Sequence, residues 1–147
     1  MIKGLVPYLV TNGNGQEAIA FYEKALHAEV LNAQTFGDMP GPEGKEAPAE
    51  MKNLILNAQL KVGEAQLMLS DEFPGNPYQI GSQVTIAIIV DDASQAQQLF
   101  GNLEEGGTVI MPLQETFWSP AYGQVLDQYG VTWKISTELA EQNQKEM

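Results

Sequence analysis

The apolar run over residues 84–90 (V-T-I-A-I-I-V), followed at once by Asp91-Asp92-Ala93-Ser94, constrains the fold more than any other stretch. A short apolar run bounded by turn signals is a buried strand, and Asp ahead of Ala-Ser opens a helix. Residues 5–12 (L-V-P-Y-L-V-T-N), running into the Asn12-Gly13-Asn14-Gly15 turn, have already done the same thing once. The helical stretches correspond too, Ala18-Ile19-Ala20-Phe21-Tyr22 against Ala96-Gln97-Gln98-Leu99-Phe100. A strand followed by an amphipathic helix is common in unrelated chains. The force of the match is that each copy then continues into three more strands.

In the first copy the helix over residues 16–26 places Ala18, Ile19, Tyr22, Ala25 and Leu26 on one face, with Glu17, Glu23 and Lys24 elsewhere. Residues 28–36 read as a second strand. Residues 37–50, rich in Gly, Pro and charge, read as a long mobile loop of a length that is often functional. Residues 53–62 and 64–69 flank Gly63 as a hairpin. A connector from Ser70 to Pro77 follows, in which Asp71 reads as a turn former. In the second copy the helix carries Ala96, Leu99, Phe100 and Leu103 on one face and stops at Gly106-Gly107. Strands over residues 108–113, 124–127 and 131–137 come next, and residues 139–147 form a polar tail expected to fray.

The expectation is a single α+β domain over residues 1–147, with one module over about 1–75 and another over about 80–138. A βαβββ unit cannot cover both faces of its own sheet, so the two should form a curved mixed sheet around a cleft, with the helices outside. That cleft is the expected binding site.

Composition narrows the partners. The 19 acidic and 7 basic residues give a net charge of -12, which repels nucleic acid and anionic membranes. The chain has no cysteine, so a disulfide framework, a thiolate metal site and a cysteine nucleophile are excluded. The sequence shows no signal peptide and no apolar run of spanning length, and a cytoplasmic location is expected.

With these elements in order, the chain resembles the glyoxalase, bleomycin-resistance and extradiol-dioxygenase (vicinal oxygen chelate) superfamily, and within it the PhnB-like branch. The resemblance is carried by Pro7-Tyr8-Leu9, Ala18-Ile19-Ala20-Phe21-Tyr22 and Phe36-Gly37-Asp38-Met39-Pro40. It continues through Leu67-Met68-Leu69-Ser70-Asp71, Gln114-Glu115-Thr116-Phe117-Trp118 and the segment from Asp127-Gln128-Tyr129-Gly130 to Trp133. The resemblance implies a glyoxalase-like fold and a homodimer. It also brings a methyltransferase label that nothing in the sequence supports, since no nucleotide-binding Gly-rich turn is found.

Metal-dependent members of the superfamily supply ligands from the first and last strands of each module. Here those positions fall on Leu5, Met68, Thr85 and Lys134, none a usual ligand for a divalent ion. The resemblance therefore implies no metal and no cofactor. Where the branch often has a histidine in its third strand, this chain has Asn57.

The remaining candidates are few. His27, the only histidine, stands where the branch usually has glycine and is expected to interact with the helix C-terminus. Glu115 is either a catalytic base or a solvated acid at a strand end. Lys134 alternates with Trp133 and Ile135, so it is either turned towards the cleft, to bind an anion or pair with Glu115, or snorkelling to the rim. Tyr8, Asn57, Met68, Thr85, Trp118 and Trp133 are expected to line the ligand site, within an aromatic cluster that also holds Phe117, Tyr122 and Tyr129. Glu43, Glu46 and Glu50 belong to the solvated loop.

Two functions follow. The first is a metal-free protein that binds or sequesters a small molecule, and the negative charge and aromatic faces suit a cation. The second is an enzyme of lyase or isomerase type acting on a small oxygenated metabolite through Glu115 and Lys134.

Overall fold

The computed structural model describes residues 1–39 and 47–139. The expectations for Glu43 and Glu46, for most of the long loop and for residues 140–147 lie outside them. The chain divides into two compact units, Met1–Gln79 and Ile80–Met147.

The first unit holds β1 (Tyr8–Thr11), α1 (Gly15–Ala25), β2 (Glu29–Thr35), β3 (Ile55–Val62) and β4 (Ala65–Asp71). Its four-stranded sheet has the order β1-β4-β3-β2, with β1 parallel to β4 and the other pairs antiparallel. The second unit repeats the plan with β5 (Ile86–Val90), α2 (Ala93–Glu104), β6 (Thr108–Gln114), β7 (Tyr122–Leu126) and β8 (Thr132–Thr137), in the order β5-β8-β7-β6. The α+β fold with a doubled βαβββ plan is therefore present, as two four-stranded mixed sheets.

In each unit one sheet face is closed by the helix. Ala18, Ile19, Tyr22 and Ala25 of α1 are buried, as are Leu9, Ala58, Leu60, Leu67 and Leu69 of the sheet. In the second unit Ala96, Leu99, Phe100 and Leu103 of α2 are buried, with Val90, Val125, Trp133 and Ile135. Each such Leu, Ile, Val or Phe side chain contributes about 1.5–3 kcal/mol by leaving water. Gly123 lets α2 approach β7, because a Cβ there would lie 2.8 Å from the Phe100 ring and 3.0 Å from Leu113 Cα.

Several boundaries differ from the sequence reading. The first strand starts at Tyr8, not Leu5. Pro7 accepts from Met68 N–H through its carbonyl but has no N–H of its own, so the ladder does not extend further back, and Leu5 is 98% exposed. Likewise β5 begins at Ile86, level with Trp133 of β8, which leaves Thr85 just ahead of the strand.

Asp71 is not a turn former. It ends β4, is buried, and accepts from Thr11 Oγ1 (2.7 Å), Gly13 N–H (3.0 Å) and Gly15 N–H (2.9 Å) on one oxygen and Ile55 N–H (2.8 Å) on the other. One carboxylate thus joins the end of β1, the start of α1 and the start of β3. A side chain at position 15 would collide with it, its Cβ falling 2.7 Å from Asp71 Oδ2.

The base of the long loop is tied down. Phe36 N–H donates to Leu54 O and Gly37 N–H to Lys52 O, between short 3-10 turns at Phe36–Asp38 and Ala49–Met51. Glu50 lies exposed in the second of these turns.

Candidate functional site

The sheet face turned away from the helix is the open one in each unit, and strand alternation decides which side chains it carries. In the first unit Leu9, Leu67, Leu69, Ala58 and Leu60 are buried, so their neighbours Tyr8, Met68, Asn57 and Gln59 point the other way. Register brings these together: Tyr8 pairs with Met68, Met68 with Gln59, Gln59 with Asn32 and Asn57 with Gln34. Asn57 Nδ2 donates to Tyr8 Oη at 3.3 Å. The result is a face of neutral amides around a phenol and a thioether. Tyr8, Asn57 and Met68 stand together on this face. The sequence reading missed Asn32, Gln34 and Gln59, which only inter-strand register brings beside Asn57 and Met68.

In the second unit Trp133, Ile135 and Thr137 are buried and Lys134 and Ser136 face the open side. Lys134 lies between Ala87 of β5 and Gln124 of β7, and Ser136 pairs with Tyr122. Gln124 Nε2 donates to Tyr122 Oη at 3.2 Å. The Trp118 ring meets Tyr122 edge to face at 5.3 Å between centroids, and Phe117 meets Trp118 at 4.8 Å. Phe117 is 91% and Trp118 42% exposed, so this aromatic corner faces solvent.

The corner is held by its own backbone. Thr116 N–H donates to Ser119 O at 2.8 Å, Ser119 N–H donates to Thr116 Oγ1 at 3.1 Å, and buried Ser119 Oγ accepts from Thr137 N–H at 2.9 Å.

Trp133 does not line this face. It is buried on the helix side, 2% exposed, and its Nε1 donates to Asp127 Oδ2 at 2.7 Å. The alternation that turns Lys134 outward turns Trp133 inward. Glu115 is exposed just beyond Gln114, the β6 residue that pairs with Tyr122. Because β7 lies between β6 and β8, the Glu115 and Lys134 backbones are separated by two inter-strand spacings, about 10 Å sideways. Thr85 is half-buried immediately ahead of β5.

The donor set does not suit a divalent metal. Tyr8 and Met68 occupy the paired open-face positions in the first unit, and Ala87 and Lys134 those in the second. A thioether, a methyl group and an ammonium are not ligands for a hard or borderline ion, and a neutral phenol is a weak one. Among the described residues no three His, Cys, Asp or Glu side chains gather as a metal-holding group.

The start of α1 is a poor phosphate site, because the Asp71 carboxylate takes the N–H groups of Gly13 and Gly15 and sets a negative charge there. No helix among the described residues is long and apolar enough to cross a membrane.

The chain is similar to known proteins in sequence and fold. The protein YjdN of Escherichia coli is 33% identical over 138 residues, covering 90% of this chain and 93% of its own. The crystal structure of PA1353 from Pseudomonas aeruginosa superposes with a TM-score of 0.82 at 39% identity, covering 93% of this chain and 98% of that one. A Bacillus cereus PhnB protein, described as a putative 3-demethylubiquinone-9 3-methyltransferase, shares the fold with a TM-score of 0.72 at 20% identity, covering 92% of this chain and 99% of its own. The sequence profile of one family matches residues 4–135, nearly the whole doubled βαβββ plan, and the chain belongs to it: the glyoxalase/bleomycin resistance protein/dioxygenase superfamily.

Proposed function

We propose that this superfamily member is a metal-independent small-molecule-binding protein of the PhnB-like branch, acting as a sequestering homodimer. The observation that carries the reading is the chemistry of the two open faces. One presents amides beside Tyr8 and Met68, the other Lys134, Gln124 and Ser136 beside Tyr122 and Trp118. These groups recognise by hydrogen bonding, stacking and a single charge. They do not polarise a carbonyl as a metal does.

The PhnB-like placement rests on the sequence motifs, from Pro7-Tyr8-Leu9 to Trp133. The methyltransferase description of the Bacillus relative is not carried over, because the Gly13-Asn14-Gly15 turn is filled by Asp71. An enzyme using Glu115 and Lys134 is the competing reading, and the strand lying between them counts against it as a cooperating pair.

The test is elemental analysis of untagged protein purified without chelator, followed by thermal melts with added Ni, Zn, Mn and Fe ions. The expected result is no stoichiometric metal and no rise in melting temperature. Bound metal, or a metal-dependent rise, overturns the reading. Turnover of a small oxygenated metabolite that is lost in Glu115→Gln while binding persists replaces the binder with the enzyme.

A further inference from the structure

We infer that the open face of the second unit is a subsite for a small organic anion with a flat apolar part, such as an aromatic carboxylate. The inference rests on the small-molecule-binding reading and names the ligand class for it.

Lys134 is the only cationic side chain among the described residues of the second unit, in a chain without arginine. Its register neighbours are the side chains of Ala87 and Gln124, so no carboxylate stands directly across from it in either ladder. Ala87 is small and leaves room beside the ammonium. Gln124 and Ser136 add neutral hydrogen-bonding groups on the same face.

The apolar half of the subsite lies one step along β7. Tyr122 is the diagonal neighbour of Lys134, about 7–8 Å away by sheet geometry, and its ring contacts Trp118. A carboxylate at Lys134 therefore leaves an attached ring over the Tyr122 and Trp118 surfaces. The Thr116–Ser119 turn fixes that corner in advance, which lowers the ordering cost of binding.

The net charge of -12 argues for a cation at long range. Charges beyond a screening length of about 8 Å are largely damped at physiological salt, so the local ammonium decides which group is held.

The probes are benzoate, benzylammonium and benzyl alcohol, followed by tryptophan fluorescence and calorimetry. Trp118 is half-exposed and Trp133 buried, so a ligand stacking at the corner quenches the first selectively. Benzoate is expected to bind and quench, to bind at least about tenfold more weakly to Lys134→Met, and to be largely retained by Lys134→Arg. Trp118→Phe should remove the quench while calorimetric binding persists in weakened form.

Tighter binding of benzylammonium than benzoate, unchanged benzoate affinity in Lys134→Met, or no benzoate binding at all overturns the subsite. Melts of the two lysine variants establish that each is folded. The metal-independent reading fails separately, through a metal-induced rise in melting temperature with benzoate binding unaffected.

Discussion

Trp133 Nε1 donates to Asp127 Oδ2 at 2.7 Å, and this bond fixes which way β8 faces. Asp127 Oδ1 accepts from Tyr129 N–H at 2.8 Å and Val131 N–H at 3.0 Å, so the same carboxylate shapes the turn that delivers the strand. With Trp133 anchored on the helix side, Lys134 must stand on the open one. Asp127→Ala takes the acceptor from the buried Trp133 indole N–H and from two part-buried backbone N–H groups, and is expected to cost about 2–4 kcal/mol, read as a lower denaturant midpoint. Trp133 emission should shift to the red in the same variant. An unchanged midpoint would show that the turn holds its shape without the carboxylate.

Asp71 does comparable work in the first unit, and its two oxygens divide the load. Oδ1 serves Thr11, Gly13 and Gly15 while Oδ2 serves Ile55. Asp71→Asn keeps the shape but turns an amide N–H₂ against N–H donors on one side or the other. We expect a loss of about 2–4 kcal/mol, nearly as large as for Asp71→Ala, because charge-assisted bonds to buried N–H groups are lost in both. A near-neutral Asn variant would mean that hydrogen-bond count, not charge, secures the start of α1.

His27 is the only non-glycine residue with positive φ among the described residues, at 54°. It follows Leu26, whose N–H closes the last turn of α1 on Tyr22 O, so it occupies the left-handed position after a helix. A side chain there costs about 1–2 kcal/mol relative to glycine. His27→Gly should therefore raise stability by about 1 kcal/mol once the flexibility of glycine in the unfolded chain is deducted. Differential scanning calorimetry would read this as a few degrees in Tm. A lower Tm would mean that the exposed imidazole contributes more than the backbone strain removes.

Much of the fold could be read from the sequence because the doubled strand-helix pattern and the period-two strands report burial directly. The inward sets Leu67, Leu69 and Trp133, Ile135 follow from alternation alone, and so does the outward turn of Lys134. What escaped was anything set by a partner distant in sequence. Asp71 looks like a turn residue until Gly13, Gly15 and Ile55 come to it from other elements. Trp133 is the exception, an aromatic of ligand type that local strand parity alone sends to the core. The amide face escaped because Asn32, Gln34 and Gln59 carry no chemistry singly and gain meaning only through register.

Asp92 gives a prediction in pH. It caps α2, accepting from Ser94 Oγ at 2.7 Å and from Ser94 N–H at 3.1 Å, and these two bonds hold its carboxyl below the usual carboxylate range. A group with a lowered folded-state pKa contributes stability that is present above its ordinary value of 3.8 and is lost as pH falls through the lower folded value. Asp92→Asn keeps an oxygen able to accept the same backbone N–H but cannot titrate. The difference between wild type and Asp92→Asn in denaturant unfolding should therefore favour wild type at neutral pH and shrink towards zero in acid. The other carboxylates titrate alike in both proteins and cancel in the difference. Because the group is fully exposed, added salt should narrow the gap at neutral pH as well. A gap that stays constant through the acid range would mean that the Asp92 charge contributes nothing to the helix, and that its Ser94 bonds act as neutral ones.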